Sequence, residues 1–388
     1  MWIRTVGSSQ RERESKRKRV ERERERALYI YIYLHIENKI EYVGCSSSSP
    51  SRVSRTFVRI CIISRVVVVR TPTHQHTNTH KQNHIHRRPL AELHFRHTSD
   101  GTFLISACLD KNPMLRDGVT GDWIGTFSGH KGAVWSAKLN ADATKAVTGS
   151  ADFSVKLWNA ITGKSICTYD HKHIVKTVDF DPSGKRILSG GMEKKLRVFD
   201  ISSSSSSSPI LEMKRESTVR KALWQDENSI LMASDDGQVS VVDVRSSTVT
   251  KSAKIDTGSS RIMDMEMSSS SKTNILTVAS GKGVSFLDSK TLKQIKRYKY
   301  PISIEAASLH PTGKYFCAGG EDMWVRLFDY ATGEELECQK GHHGPIHCLR
   351  FTPDGTSYCS GSGDATIRMW PSKKLGGSVG VGSEEKTS

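Results

Sequence analysis

One apolar pattern returns through this chain at a nearly constant interval, and it limits the fold more than any other feature. The pattern is apolar, two residues, apolar, one residue, apolar. It occurs at Leu90/Leu93/Phe95, Val134/Ala137/Leu139, Val175/Val178/Phe180, Val219/Ala222/Trp224, Ile262/Met265/Met267, Ile304/Ala307/Leu309 and Ile346/Leu349/Phe351. Its last members lie 44, 41, 44, 43, 42 and 42 residues apart. A second apolar element keeps the same step, at Val155–Trp158, Leu196–Phe199, Val239–Val242, Val284–Leu287, Val325–Phe328 and Ile367–Trp370, with a poor version at Pro113–Arg116. Between the two runs a stretch of small residues, such as Val147-Thr148-Gly149-Ser150 or Cys359-Ser360-Gly361, suited to close packing of neighbouring units. Turns such as Asn159-Ala160-Ile161-Thr162-Gly163 and Asp329-Tyr330-Ala331-Thr332-Gly333 follow the second element. Short strands at this spacing, in units of about 40–45 residues, are the signature of four-stranded propeller blades. Seven copies predict an all-β, seven-bladed β-propeller over residues 85–372.

Within the units, polar residues recur in register. The second has Gly129-His130, Thr148, Asp152 and Trp158; the seventh has Gly341-His342, Ser360, Asp364 and Trp370. These match the WD repeat, which identifies the propeller as one of the WD40 kind. A buried carboxylate needs donors, and His, hydroxyl and indole N–H supply a closed chain of them. A His-Ser-Asp set also occurs in hydrolases, but repetition in step with a β period points to structure and not to a catalytic triad. Other units are degenerate: the third keeps His171 but ends in Phe199-Asp200, the sixth keeps Asp322 but ends in Phe328-Asp329. These are expected to rely more on packing.

The flanks differ. Residues 1–88 carry 19 Lys and Arg against 7 Asp and Glu, whereas residues 89–388 carry 38 against 34. The formal charge of +16 therefore belongs mainly to the leader, and the folded part is nearly neutral. Residues 1–84 lack an amphipathic period and are expected to be a disordered, basic, low-complexity leader. Three readings of it stand side by side: a nuclear localisation signal at Lys16–Arg19, a metal site using His76 and His80, or the translation of simple repeats from an untranslated leader, the reading favoured here. Residues 373–388 are expected to be a flexible Gly/Ser tail. After Trp370 no outer strand is evident for the seventh blade. Residues His80–His84 stand where the closing strand is expected; a weak closure, substitution by Arg59–Val69, or a strand missing from this sequence remain open.

Eight cysteines without a C-x-x-C pair read as reduced thiols packed as small apolar residues. No apolar run reaches the roughly 20 residues of a membrane span, so a soluble protein is expected. Phosphate-loop, nucleophile-elbow and H-E-x-x-H motifs are absent, and no enzyme activity, cofactor or metal is expected. His342, His343 and His347 cluster in sequence, but His342 belongs to the blade network.

Three stretches carry a closer likeness: Phe103–Ala107 leading to Asn112-Pro113-Met114-Leu115-Arg116; Gly121–Phe127 with Gly129–Trp135; and His171–Lys176. Gly319-Gly320-Glu321-Asp322 and Gly341–Cys348 add to it. Over residues 86 to about 371 the chain resembles the family of serine/threonine kinase receptor-associated proteins, WD-repeat adaptors also described as interactors of a cold-shock-domain RNA-binding protein. The resemblance implies a non-enzymatic scaffold, associated with kinase-receptor signalling and with the survival-of-motor-neuron complex that loads Sm proteins onto spliceosomal RNAs. It implies protein partners in a multisubunit assembly, RNA contacted indirectly, and a cytoplasmic location extending to the nucleus. Two alternatives stay open. One is a WD-repeat subunit of a translation initiation factor, disfavoured by the Gly-Asp-Trp-Ile and Asn-Pro-Met-Leu stretches. The other is a substrate receptor of a cullin ubiquitin ligase, disfavoured because Val242-Asp243-Val244-Arg245 lacks the aromatic of a Trp-Asp-x-Arg ending.

The residue after the first apolar position of each inner strand is expected to line the channel mouth. This ring is Ala91, Trp135, Lys176, Arg220, Met263, Glu305 and His347. An exposed Trp135 beside Lys and Arg is the composition of a protein-binding hot spot; the alternative is that Trp135 packs against a neighbouring blade and contacts nothing else. Trp324 is a second candidate surface aromatic, with core packing the alternative.

Overall fold

The computed structural model describes residues 85–202, 208–256, 261–268 and 274–372, together with the backbone of two short strands at 60–63 and 66–69. Seven antiparallel sheets succeed one another along residues 90–371. Their inner strands are Leu90–Thr98, Val134–Leu139, Val175–Phe180, Val219–Trp224, Ile262–Met267, Ile304–Leu309 and Ile346–Phe351, each starting on the first apolar residue of its repeat. Six sheets have four strands in up-and-down order. Each inner strand packs beside the next, and that of the seventh blade packs beside that of the first, so the ring closes. Among the described residues no helix is long and apolar enough to cross a membrane.

The apolar triplets form seven cores, each shared by two successive blades. Val147, Val155 and Leu157 of the second blade meet Val175, Val178 and Phe180 of the third. Each such side chain, fully buried, contributes roughly 1.5–3 kcal/mol. The small residues of the second strands sit under the next blade's inner strand, as their composition implies. A Cβ on Gly149 would lie 2.7 Å from Val175 Cγ1, and one on Gly361 would lie 2.6 Å from Cys348 Sγ and 2.9 Å from Leu90 Cβ.

The seam between the seventh and first blades has the smallest core: Leu90, Leu93, Leu104, Cys108, Cys348 and Cys359. The seventh sheet has three strands among the described residues, ending at Ile367–Pro371. Residues His80–His84 lie outside the described residues, as do the rest of the leader apart from the two short strands, both serine runs in large part, and the tail from 373. Ile60–Ile63 and Val66–Val69 pair with each other in a two-stranded sheet, and the rest of the Arg59–Val69 segment lies outside the described residues.

The blade networks form as expected. His130 Nδ1 lies 2.8 Å from Asp152 Oδ2 and its Nε2 2.6 Å from Thr148 Oγ1, to which the Trp158 indole N–H donates at 2.8 Å. His342 repeats this with Asp364 at 3.1 Å and Ser360 at 2.7 Å, and Trp370 donates to Ser360 at 2.7 Å. Burial opposes ionisation of Asp152 and Asp364. Hydrogen bonds from the His, the neighbouring hydroxyl and a backbone N–H outweigh it and hold both carboxyls well below the usual range.

Two degenerate blades depend on more than packing, which corrects the sequence reading. In the third, His171 still meets Ser189 at 2.8 Å, and Glu193 takes the Asp position, accepting from Lys172 N–H at 3.0 Å. Arg197 then ties Glu193 to Glu212, at 2.6 and 2.7 Å. In the sixth, Arg326 bridges Asp322 at 2.6 Å and Glu335 at 3.1 Å.

Candidate partner-binding face at the channel mouth

Each inner strand opens with a β-bulge, and the residue it leaves unpaired is the predicted mouth residue. Pairing passes from Val134↔Ser150 to Ser136↔Gly149, skipping Trp135, and from Val175↔Gly191 to Thr177↔Gly190, skipping Lys176. The same skip occurs in the other five blades. A bulge re-aims a side chain and bends the strand. Here it leaves the mouth residue out of the ladder at the start of every inner strand.

All seven mouth residues are half-buried, and all line one cavity of about 230 Å³. Trp135 is not the exposed side chain expected from sequence. The Lys176 ammonium of the next blade lies 3.0 Å from its ring centroid, a cation–π contact that covers one face. The Trp135 indole N–H is buried without a hydrogen-bond partner. Burial and the nearby cations Arg220, Arg261 and Lys221, opposed by Asp235, bring the Lys176 ammonium down to about 8. Arg220 touches Asp235 at 3.7 Å and Met263 Sδ at 3.7 Å, both long contacts. Across the mouth His347 Nδ1 meets Glu305 Oε2 at 2.5 Å.

Below the mouth the channel is filled by charge. Glu92, 2% exposed, accepts from Ser136 Oγ at 2.6 Å, Ala137 N–H at 3.2 Å and Lys221 Nζ at 2.8 Å, with Lys138 Nζ at 3.3 Å. Burial alone would raise its carboxyl; the two ammonium groups and the hydrogen bonds hold it far below the usual range. Arg350 grips Asp264 with two hydrogen bonds, at 2.6 and 2.8 Å. At the other end of the channel a cavity of about 370 Å³ is lined by His94, Arg96, Lys138, Asp179, Glu266 and Arg350 under an apolar border. Burial pushes the Asp179 carboxyl up to about 6 and that of Glu266 up to about 7. Sequence reasoning missed this second cavity. Its signal was a titratable residue three places after the mouth residue in five of the seven inner strands.

The mouth is rimmed by exposed apolar residues. In six blades the loop after the second strand starts with a backbone bond to the residue before an inner strand, as in Ala151 N–H to Ala133 O (2.8 Å), Met192 N–H to Ile174 O (3.0 Å) and Glu321 N–H to Ser303 O (3.2 Å). These loops therefore share the face of the mouth. They carry exposed Phe153 (44%), Met192 (41%), Met323 (39%) and Trp324 (38%). Trp324 is thus a surface aromatic, flanked by Lys340 at 4.0 Å and Arg326 at 5.1 Å. Phe153 and Met323 sit at φ 67° and 68°, and Lys111, Lys194 and Ala365 at comparable turns also have positive φ, at 74°, 58° and 67°.

His86, which follows Ile85 where a Gly-His pair is expected, completes a first-blade network whose members the sequence reading did not assign. It meets Asp110 at 2.9 Å and Ser106 at 2.8 Å. Its spacing was masked because the first hairpin is two residues longer and Arg116 stands where Trp158 and Trp370 stand elsewhere. Atoms of His86, Cys108 and Asp110 lie within 4.8 Å of one another. Both His86 ring nitrogens are already engaged, and burial pushes the Cys108 thiol up to about 12, so the group reads as a blade network and not as a metal centre.

Comparison with known proteins agrees with this architecture. A family model described as the IFT122 first beta-propeller matches residues 93–371. The serine-threonine kinase receptor-associated protein of Gallus gallus is 46% identical over 286 residues, 74% of this chain and 80% of that protein. The protein of the same name from Dictyostelium discoideum is 44% identical over 290 residues, 74% of this chain and 96% of that protein. The eukaryotic translation initiation factor 3 subunit I of Nematostella vectensis is more distant, at 30% over 307 residues, 74% of this chain and 94% of that protein. The chain therefore belongs to the WD-repeat β-propellers that this family model describes and, among them, to the family of the serine-threonine kinase receptor-associated proteins.

Proposed function

We propose that this chain is a non-catalytic adaptor that joins protein subunits in a multisubunit assembly, and that it grips them on the channel-mouth face. The observation that carries this reading is the composition of that face. Seven half-buried side chains converge on one cavity, including an aromatic, two cations and an unpaired indole donor, inside a border of exposed Phe153, Met192, Met323 and Trp324. Aromatic and Arg anchors in a partly desolvated pocket, surrounded by apolar contacts, are the make-up of interface hot spots.

Relatives named for association with a serine-threonine kinase receptor support protein partners of the signalling kind. The family resemblance extends the proposal to Sm-protein loading by the survival-of-motor-neuron complex, in the cytoplasm and the nucleus, with RNA reached through protein partners. The test is affinity purification of the full chain from cell lysate after RNase treatment, beside Trp135→Ala. Recovery of Sm-loading or kinase-receptor proteins that falls with Trp135→Ala supports the reading. Recovery of initiation-factor subunits or a cullin adaptor overturns the assignment of partners, and recovery indifferent to Trp135 overturns the face.

A further inference from the structure

We propose that the wall formed by Trp135, Lys176 and Arg220 is the seat of a single carboxylate side chain, presented by an acidic segment of a protein partner. This deepens the docking reading of the mouth and rests on it.

The argument starts from an imbalance. Deeper in the channel, Lys138, Lys221 and Arg350 each have a carboxylate at 2.6–3.3 Å. Lys176, half-buried at the mouth, has none within salt-bridge distance among the described residues; its ammonium rests on the face of Trp135 instead. Arg220 reaches its carboxylate only at 3.7 Å, and the Trp135 indole N–H is buried and unmatched. Two cations from successive blades thus line one small cavity with hydrogen-bonding capacity left over, beside a Trp135 indole N–H that is buried without a partner. Removing a cation from water without a counter-charge is costly, and a carboxylate placed among these groups relieves that cost. The depressed ammonium of Lys176 is the same imbalance seen as an acidity.

The cavity also selects among anions. At about 230 Å³ it has room for a side-chain carboxylate. Glu305, held by His347 on the opposite wall, opposes a second negative charge and so disfavours a phosphate dianion. The folded part is nearly neutral overall, which gives a polyanion such as RNA little long-range attraction. The apolar border around the mouth suits a polypeptide that carries the acid.

The experiment is calorimetric titration of the full chain with a decapeptide of alternating Gly and Glu. Its Gln counterpart, its phosphoserine counterpart and a ten-nucleotide oligouridylate are the comparisons. The expected result is binding of the Glu peptide, at least tenfold weaker for the Gln peptide and at least tenfold weaker in Lys176→Met and in Arg220→Gln. Acylation of Lys176, followed by mass spectrometry on the unaltered chain, provides a readout independent of any variant: the Glu peptide slows it severalfold and the Gln peptide does not. Equal binding of Glu and Gln peptides, tighter binding of the phosphopeptide or oligouridylate, no detectable binding at millimolar peptide, or unprotected Lys176 each overturns the seat. Partners lost in Trp135→Ala but retained in Lys176→Met leave the docking face standing and remove the seat. Partners retained in both remove the two together.

Discussion

Glu92 is the side chain on which the channel's internal order depends most, and replacing it with Gln gives the sharpest prediction about stability. Glutamine keeps the shape and still accepts from Ser136 Oγ and Ala137 N–H, so packing is preserved. What is lost is the one carboxylate within salt-bridge distance of Lys138 among the described residues, at 3.3 Å, and the nearer of the two beside Lys221, at 2.8 Å against 3.8 Å for Asp264. Both lysines are at least nine-tenths buried. Breaking a buried ion pair by removing one partner costs about 3–5 kcal/mol, and the retained hydrogen bonds place Glu92→Gln at the lower end, about 3 kcal/mol. At roughly 2–4 °C per kcal/mol for a large domain, that is a fall in Tm of about 6–12 °C. The assay is urea unfolding at pH 7, with scanning calorimetry beside it. Adding Lys221→Met removes one stranded cation, so the double variant is more stable than the sum of the single effects by at least 1 kcal/mol. The pH dependence has a definite sign. The carboxyl is held low in the folded state, so its contribution is present above the unfolded value of about 4.3 and disappears as pH falls through the folded value. The gap between wild type and Glu92→Gln therefore closes in acid. A loss below 1 kcal/mol, or strict additivity with Lys221→Met, refutes the reasoning.

Other predictions concern separate parts of the fold. Gly361→Ala pushes a Cβ into Leu90 and Cys348 at the seam between the seventh and first blades, and costs about 1–3 kcal/mol in urea unfolding, whereas Gly125→Ala, with nothing within 4 Å, is near neutral. Thr148→Val strands His130 and Trp158 in the second blade and costs about 1–3 kcal/mol by the same assay. Glu266 has its carboxyl raised to about 7, so the folded state binds its proton more readily than the unfolded state, and stability falls as pH rises from about 4.3 toward 7. Glu266→Gln flattens that part of the stability–pH curve and is the more stable form at pH 8; an unchanged slope contradicts the assignment.

Much of this architecture was legible because every blade solves the same packing problem with the same residues. The first two members of every triplet are buried, as is the third in five of the seven repeats, to meet a neighbouring blade, so the period survives even where the polar network has decayed. The mouth residues were legible by counting, since the bulge falls at the same step each time. What escaped the sequence was what depends on contacts between blades. Trp135 and Lys176 lie 41 residues apart and meet only when two blades stand side by side, which is why Trp135 read as exposed. The charged channel was hidden because Glu92, Lys138, Asp179 and Arg350 look, along one strand, like polar residues alternating outward. Phe153 and Met323 were not singled out, because the left-handed backbone at these positions is invisible in the sequence.

The central claim is that partners dock on the channel-mouth face. It is tested most directly by placing a photo-crosslinking amino acid at Phe153, on the rim of the mouth, and separately at Ile166, exposed on an outer strand of the same blade. Both forms are irradiated in cells and their adducts compared by mass. The account predicts discrete protein adducts at position 153 that disappear when Trp135→Ala is added, and none of them at position 166. The same adducts at 166, or adducts at 153 that persist without Trp135, would contradict it.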